Sequence, residues 1–299
     1  MRVFVTGATG WVGSAVVKDL LAAGHQVLGL ARSDEGARSV AAAGAEVLRG
    51  SLEALDSLKR GAAQADGVIH AAFNHDFSKL AENAEHERLA IEAIGNELAG
   101  SNRPFIVTSG VALLAPGRVT TEDEPARAAI ASFPRSPEAA AAAFSARGVR
   151  VSAVRLAPTV HGLGDHGFVP RLIEIARAKG VSAYVGEGGN RWPAVHRLDA
   201  ARVYRLALER DAEGATWHAI AEQGVPFKAI AEAIGRGLGI PVVSQTPEQA
   251  ADHFGWFARF AAIDCPSSSE ITRSRLGWQP EHPVLLADLG QPEYFEPAR

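Results

Sequence analysis

The chain has 299 residues, 47% hydrophobic and 21% charged, with a formal net charge of -4. That balance excludes a disordered chain and argues against nucleic acid or an anionic membrane as the main partner. The single cysteine, Cys265, excludes an internal disulfide and a multi-thiolate metal centre. With no secretory signal and no apolar run of about eighteen residues, a cytoplasmic protein that does not span a membrane is expected.

In chain order, RVFVTG at 2–7 reads as a buried strand and is followed by a helix over 11–23. Strands are predicted at 26–31 and 46–50 with a helix over 34–43 between them. A helix over 53–61 leads to a strand at 67–72, and a long helix over 78–99 leads to a strand at 104–110. The alanine-rich stretch 134–147 is predicted as the crossover helix into a strand at 150–157. Strands and helices alternating at this rhythm imply parallel strands joined by crossovers, an α/β Rossmann-type doubly wound sheet.

Past Pro158 the glycine-rich loops HGLGDHG and GEGGN separate a helix over 168–178, a strand at 182–186 and a helix over 198–210. TWHAIAE at 216–222 returns as one more strand of the sheet, and short helices dominate from Val225. Residues 1–157, joined by 190–222, are therefore assigned to the nucleotide-binding domain. Residues 158–189 and 223–299 are assigned to a smaller, interleaved C-terminal substrate domain.

Gly7, Gly10 and Gly13 lie between the first strand and the first helix in G-x-x-G-x-x-G spacing. In that context Gly7 permits a tight turn, Gly10 lets the backbone approach a pyrophosphate, and Gly13 lets helix and strand pack closely. Thr9, Trp11 and Val12 belong to the same loop and helix start, and are expected beside the cofactor. Ala31 stands where an NAD-binding fold presents an acid to the ribose, with Arg32 and Ser33 next to it. An arginine and a hydroxyl suit a ribose 2′-phosphate, so NADP(H) is expected. The same residues also fit a solvated arginine and a serine helix cap.

Five stretches in order resemble the short-chain dehydrogenase/reductase superfamily, in its extended, epimerase/dehydratase-like branch. They are VTGATGWVGSAV, GVIHAAF, RLAPTVHG, WPAVHRLDAARVYRLAL and SRLGWQP. The resemblance implies that Ala71, Ala72 and Phe73 lie near the cofactor and that Pro158 lies at the strand end beside the nicotinamide. Ser51, Leu52 and Thr108 complete the expected cofactor contacts. In the fourth stretch Asp199 is expected to start a helix, and Arg191, Trp192 and His196 to serve substrate binding and packing.

The family's Tyr-x-x-x-Lys couple is absent. Gly188, Leu208 and Ala298 stand four residues beyond Tyr184, Tyr204 and Tyr294. Alignment through Glu138 puts Pro134 at the lysine position and Ile130 at the tyrosine position. Proton management then falls to groups at the carboxyl ends of strands, and Ser109, His75 (with Asp76) and His161 are the catalytic candidates. His75 with Asp76 and His161 each have a structural alternative as loop or capping residues, and alignment of the family's serine leaves Ser109 and Gly110 both open. His70 is expected as a satisfied core histidine and Asp165 as a helix cap. The ten histidines show no metal-ligand spacing.

Two functions stay open. The first is an NADP(H)-dependent oxidoreductase acting on a small carbonyl, imine or sugar-like substrate, with epimerase or dehydratase chemistry as a variant and a homodimer as a possible assembly. The second is a nucleotide-binding sensor that reads NADP(H) without turnover. The several histidines expected at the cleft and the complete substrate domain favour the enzyme.

Overall fold

The computed structural model describes every residue except 113, 132, 211–213 and 297–299. The first half runs β1 (Arg2–Thr6), α1 (Trp11–Ala22), β2 (Gln26–Ala31), α2 (Asp34–Ala42), β3 (Glu46–Arg49), α3 (Leu55–Ala63), β4 (Gly67–His70), α4 (Leu80–Leu98), β5 (Pro104–Gly110), α5 (Pro137–Ala142) and β6 (Arg150–Leu156). The second half adds β7 (Thr159–His161), α6 (Phe168–Lys179), β8 (Ser182–Val185), β9 (Arg191–His196), α7 (Arg197–Glu209), β10 (Thr216–Ala219), β11 (Glu222–Pro226) and α8 (Phe227–Leu238). It ends with β12 (Val242–Gln245), α9 (Pro247–Phe254), α10 (Ala258–Ala261), α11 (Glu270–Leu276) and α12 (Leu285–Asp288).

Seven strands pair in the order β10-β6-β5-β4-β1-β2-β3, all parallel. Side chains alternate across the sheet because successive Cβ atoms point to opposite faces. Phe4 packs with Leu58 and Ile91 under α3 and α4, while Val3 and Val5 pack with Val16 and Tyr204 under α1 and α7. The strand order reverses between β1 and β4, which opens a crevice above their carboxyl ends, where this class of sheet binds ligands.

A second core gathers around Trp192, Phe227, Phe257 and Phe260. It is framed by a three-stranded sheet, β11-β9-β7, and a two-stranded one, β12-β8. The division of the chain is less tidy than the sequence implies. Leu276 and Trp278, assigned to the smaller domain, pack in the core of the large sheet, whereas β9, assigned to the larger, pairs within the small sheet. The crossover helix predicted over 134–147 is shorter. It starts at Pro137, ends at Ala142 and passes through a 3-10 turn to Gly148 in the left-handed region, φ 72°. Pro134 and Pro137 keep the preceding residues out of the helix.

Candidate functional site

The β1–α1 turn is fixed by close backbone contact. Gly7 has φ +70°, and a Cβ there would lie 2.8 Å from the backbone of Ala71 and Ala72 as these residues leave β4. A Cβ on Gly13 would lie 2.0 Å from the Gly7 carbonyl oxygen. Gly10 caps α1 without any side-chain hydrogen bond, so the helix presents bare N–H groups to the crevice. This cradle fits a dinucleotide pyrophosphate: the dipole and the free donors both favour an anion. Thr9 and Gly10 are exposed, and Trp11 and Val12 are half-buried at the helix start.

Ser33 accepts the Gly36 N–H at 3.1 Å and so caps α2, the alternative its sequence context allowed. Arg32 is exposed and helps hold the nearby Glu53 carboxyl below its usual range, after hydrogen bonds from Ser51 and the Glu53 backbone. Arg49, overlooked in the sequence, bonds the Ser33 carbonyl and pairs with Asp34 at 2.7 Å. The acid closest in sequence to the ribose end is thus already neutralised. Ser51 and Leu52 are half-buried just after β3.

At the opposite end, Thr108 is turned inward. Its hydroxyl donates to the His70 carbonyl and shares a hydrogen bond with the Tyr204 hydroxyl, both at 2.9 Å, so it is engaged beneath the crevice. Ser109 is half-buried at the end of β5, its hydroxyl without a partner among the described residues. His70 is fully buried, and only its Nδ1 is bonded, to Thr6 at 2.9 Å. Its Nε2 has no partner among the described residues, so the expected satisfied core histidine is only half satisfied there. Burial pushes the His70 pKa down to about 3.

Arg135, which the sequence alignment passed over, reaches the same place. Its Nε and Nη2 donate to Glu87 Oε1 at 3.2 and 2.6 Å, and Nη2 also donates to the Thr108 carbonyl at 2.9 Å. Its guanidinium carbon lies 4.4 Å from the Phe73 ring centre. Glu138, bonded twice to the buried Arg155 at 2.9 and 2.7 Å, pins the start of α5 and so the segment that carries Arg135. Arg135 is the one basic residue between Arg127 and Arg147. That isolation, set between two prolines, was the available signal.

His75 is exposed yet walled by protein. This desolvation, with Arg135 and His166 nearby, holds its pKa below the usual histidine value. Its ring meets Phe73 edge-on at 5.3 Å and Phe77 at 6.2 Å. Phe77 stacks on Trp256 at 5.4 Å and lies 6.1 Å from Phe260, so aromatic residues of both parts of the chain meet. Asp76 caps the 3-10 turn at Phe77–Lys79 by accepting the Ser78 N–H.

His161 lies elsewhere. It has no exposed surface, its Nδ1 donates to Asp288 at 2.7 Å, and Tyr294 donates to the same carboxylate oxygen at 2.7 Å. The strand that carries it, β7, runs into the small sheet rather than ending at the large one, and the His161 Nε2 has no partner among the described residues. Pro158 sits half-buried between β6 and β7. The loop after His161 covers Trp11, whose indole N–H donates to the Val160 carbonyl at 2.7 Å. Arg197 lies over the indole at 4.1 Å and His166 meets it edge-on at 5.7 Å. Asp165 in this loop accepts the Gly167 N–H at 2.7 Å. His196 caps α7 through its own Nδ1, and Arg191 pairs with Asp264 at 2.8 Å.

The profile of the NAD dependent epimerase/dehydratase family matches residues 3–220. The chain belongs to this family. This member is 50% identical over 302 residues to an uncharacterized protein of Schizosaccharomyces pombe, spanning 99% of this chain and 100% of that one. It is 30% identical over 262 residues to the 4-hydroxy-2-methyl-3-oxo-4-farnesyl-3,4-dihydroquinoline-1-oxide ketoreductase of Stigmatella aurantiaca, spanning 84% of this chain and 78% of the ketoreductase. Its fold is similar to that of the Thermus thermophilus UDP-glucose 4-epimerase, solved in complex with NAD, with a TM-score of 0.73 and 21% identity over 99% of this chain and 98% of the epimerase. Among the described residues, no helix is long and apolar enough to cross a membrane.

Proposed function

We propose that this family member is an NADP(H)-dependent reductase of an apolar, carbonyl-bearing compound. The observation that carries the reading is the aromatic group Phe73, His75, Phe77 and Trp256, which meets Arg135 beside the end of β5. Bound NADPH supplies the hydride such a reduction needs. The α1 N-terminus and the Gly7–Gly13 cradle would hold its pyrophosphate, and Arg32 its 2′-phosphate, an anion that Asp34 does not oppose because Arg49 occupies it. In this reading Ser109 orients the substrate and His75 passes a proton between solvent and the crevice. Support from relatives is of the same kind, since one is named a ketoreductase with a farnesylated ring substrate.

The test measures NADPH consumption across aromatic and long-chain ketones and aldehydes, together with nucleotide affinities. Turnover of at least one compound is expected, slowed in His75→Ala. Arg32→Ala is expected to weaken NADPH about 10–100-fold while leaving NADH within about threefold, as for loss of a charge-assisted contact. Equal losses for both nucleotides refute the phosphate role. A binding module without turnover is favoured by one observation, the absent tyrosine–lysine couple. It is supported if NADPH binds tightly and no compound in the panel consumes it.

A further inference from the structure

We propose that Arg135 holds the oxygen of the carbonyl undergoing reduction, taking over at the end of β5 the contact that a tyrosine hydroxyl makes elsewhere in the superfamily. This rests on the reductase reading above. The guanidinium is fixed on one side only. Nε and Nη2 are committed to Glu87 and to the Thr108 carbonyl, whereas Nη1 bonds no described residue and the side chain keeps 15% of its surface exposed. Two N–H donors are therefore left over, on a guanidinium that lies over the Phe73 ring and is anchored to the Thr108 carbonyl, one residue before Ser109. Arginine carries five such donors in a rigid plane, so fixing three of them aims the remaining two.

Charge decides what those donors hold. Glu87 is only 2% exposed and already balances Arg135. Burial pushes the Glu87 carboxyl above its usual range, with Arg135 pulling the other way. A second carboxylate would crowd one cation with two anions. A carbonyl oxygen arrives neutral and gains its charge only as the reaction proceeds, so the interaction strengthens in the transition state rather than the ground state. A C–H bond forms between the carbonyl carbon and the hydride leaving C4 of the reduced nicotinamide. The C=O π pair moves to oxygen, and the nicotinamide is left oxidised. The alkoxide then takes a proton that His75 passes in from solvent, because arginine does not release one.

The test uses the full chain with two readouts. In the complex with NADP+, where no reduction can occur, the chromophoric aldehyde 4-(dimethylamino)cinnamaldehyde should show a red shift as its oxygen is polarised. Arg135→Ala should abolish that shift. With NADPH and the best carbonyl of the panel, Arg135→Ala should lower kcat about 100-fold or more, with the NADPH dissociation constant changed less than about threefold. Added guanidinium ion should restore part of the rate, which a purely structural role would not allow. Arg135→Ala leaves Glu87 buried without its counter-ion. The double variant Arg135→Ala/Glu87→Gln removes that charge, and should fold and show the same defects. An unshifted spectrum in the wild type, or a shift that survives in either variant, overturns the role of Arg135 whatever the turnover. Absence of NADPH consumption by the wild type with every carbonyl overturns the reductase reading instead, and the spectral shift then decides Arg135 separately.

Discussion

Asp165 shows how a single residue of the crevice loop sets a pH dependence. Burial pushes its pKa up to about 6 from 3.8. The folded chain therefore binds this proton more tightly than the unfolded one. The stability this adds is complete below about pH 4 and is lost as pH rises through 6. Near pH 7 the ionised carboxylate works against folding. Asp165→Asn, whose side-chain carbonyl can keep the Gly167 hydrogen bond, should stabilise the protein by about 1–3 kcal/mol at pH 7.5 and by almost nothing at pH 4. Denaturant melts at the two pH values read this directly, and an equal gain at both would show that charge is not the cause. Residue identity was legible in the sequence where backbone geometry forces it, as at Gly7 and Gly13. It was not legible at Arg135. Counting back from Glu138 assumes a helix, and the residues before Pro137 are not helical, so four-residue spacing carries no information there.

At the scale of elements, the strands of the large sheet other than the edge strand β3 could be read because they are largely apolar runs buried on both faces. β7, β9, β11 and β12 could not. They are three to six residues long, two of them carry a proline, and their pairing is set by partners distant in sequence. Helix α7 shows what joins the parts. Asp199 in its first turn accepts hydrogen bonds from the Glu281 and His282 N–H groups, both at 3.0 Å, and from the His282 ring at 3.0 Å. Burial alone would raise its carboxyl, but these donors hold it below the usual range. The Trp278 indole N–H adds a bond to the Asp199 carbonyl at 3.1 Å. Asp199→Ala leaves two backbone donors without their acceptor and should cost about 2–4 kcal/mol. Hydrogen exchange should quicken over residues 278–285 while β1 to β6 stay protected. Unchanged exchange there would mean that the segment is held by other contacts.

For the whole molecule, the doubly wound class follows from the alternation of periods in the first half, while the interleaving of the second half depends on which surfaces meet and leaves no local signal. The complete molecule also has an acid limit. His70 is held neutral with a pKa near 3, and His196 near 4 by burial and by His161 and His282. Both values lie below the 6.5 of an unfolded histidine, so their contribution is whole above about pH 6.5 and falls away as pH drops toward 3–4. At pH 5 His70 should cost about 2 kcal/mol and His196, partly open to water and so screened, about 1 kcal/mol. Together these are a large part of a typical domain's stability. In an Asp165→Asn background, which removes that group's opposing proton uptake, urea melts at pH 7.5 and pH 5 should differ by at least about 2 kcal/mol. A difference below about 1 kcal/mol would mean that both rings are already protonated in the native protein.

The covering of Trp11 has one further consequence, which concerns time. His161 is tied to Asp288 across 127 positions and Gly162 to Tyr294 across 132. The turn that seats the dinucleotide needs only its own glycines and the Ala71–Ala72 backbone about sixty positions on, and contacts of shorter separation form early; closures twice that length come late. A chain emerging in order can therefore shape its phosphate cradle well before it has a wall beside it. The crevice is finished from the far end of the sequence.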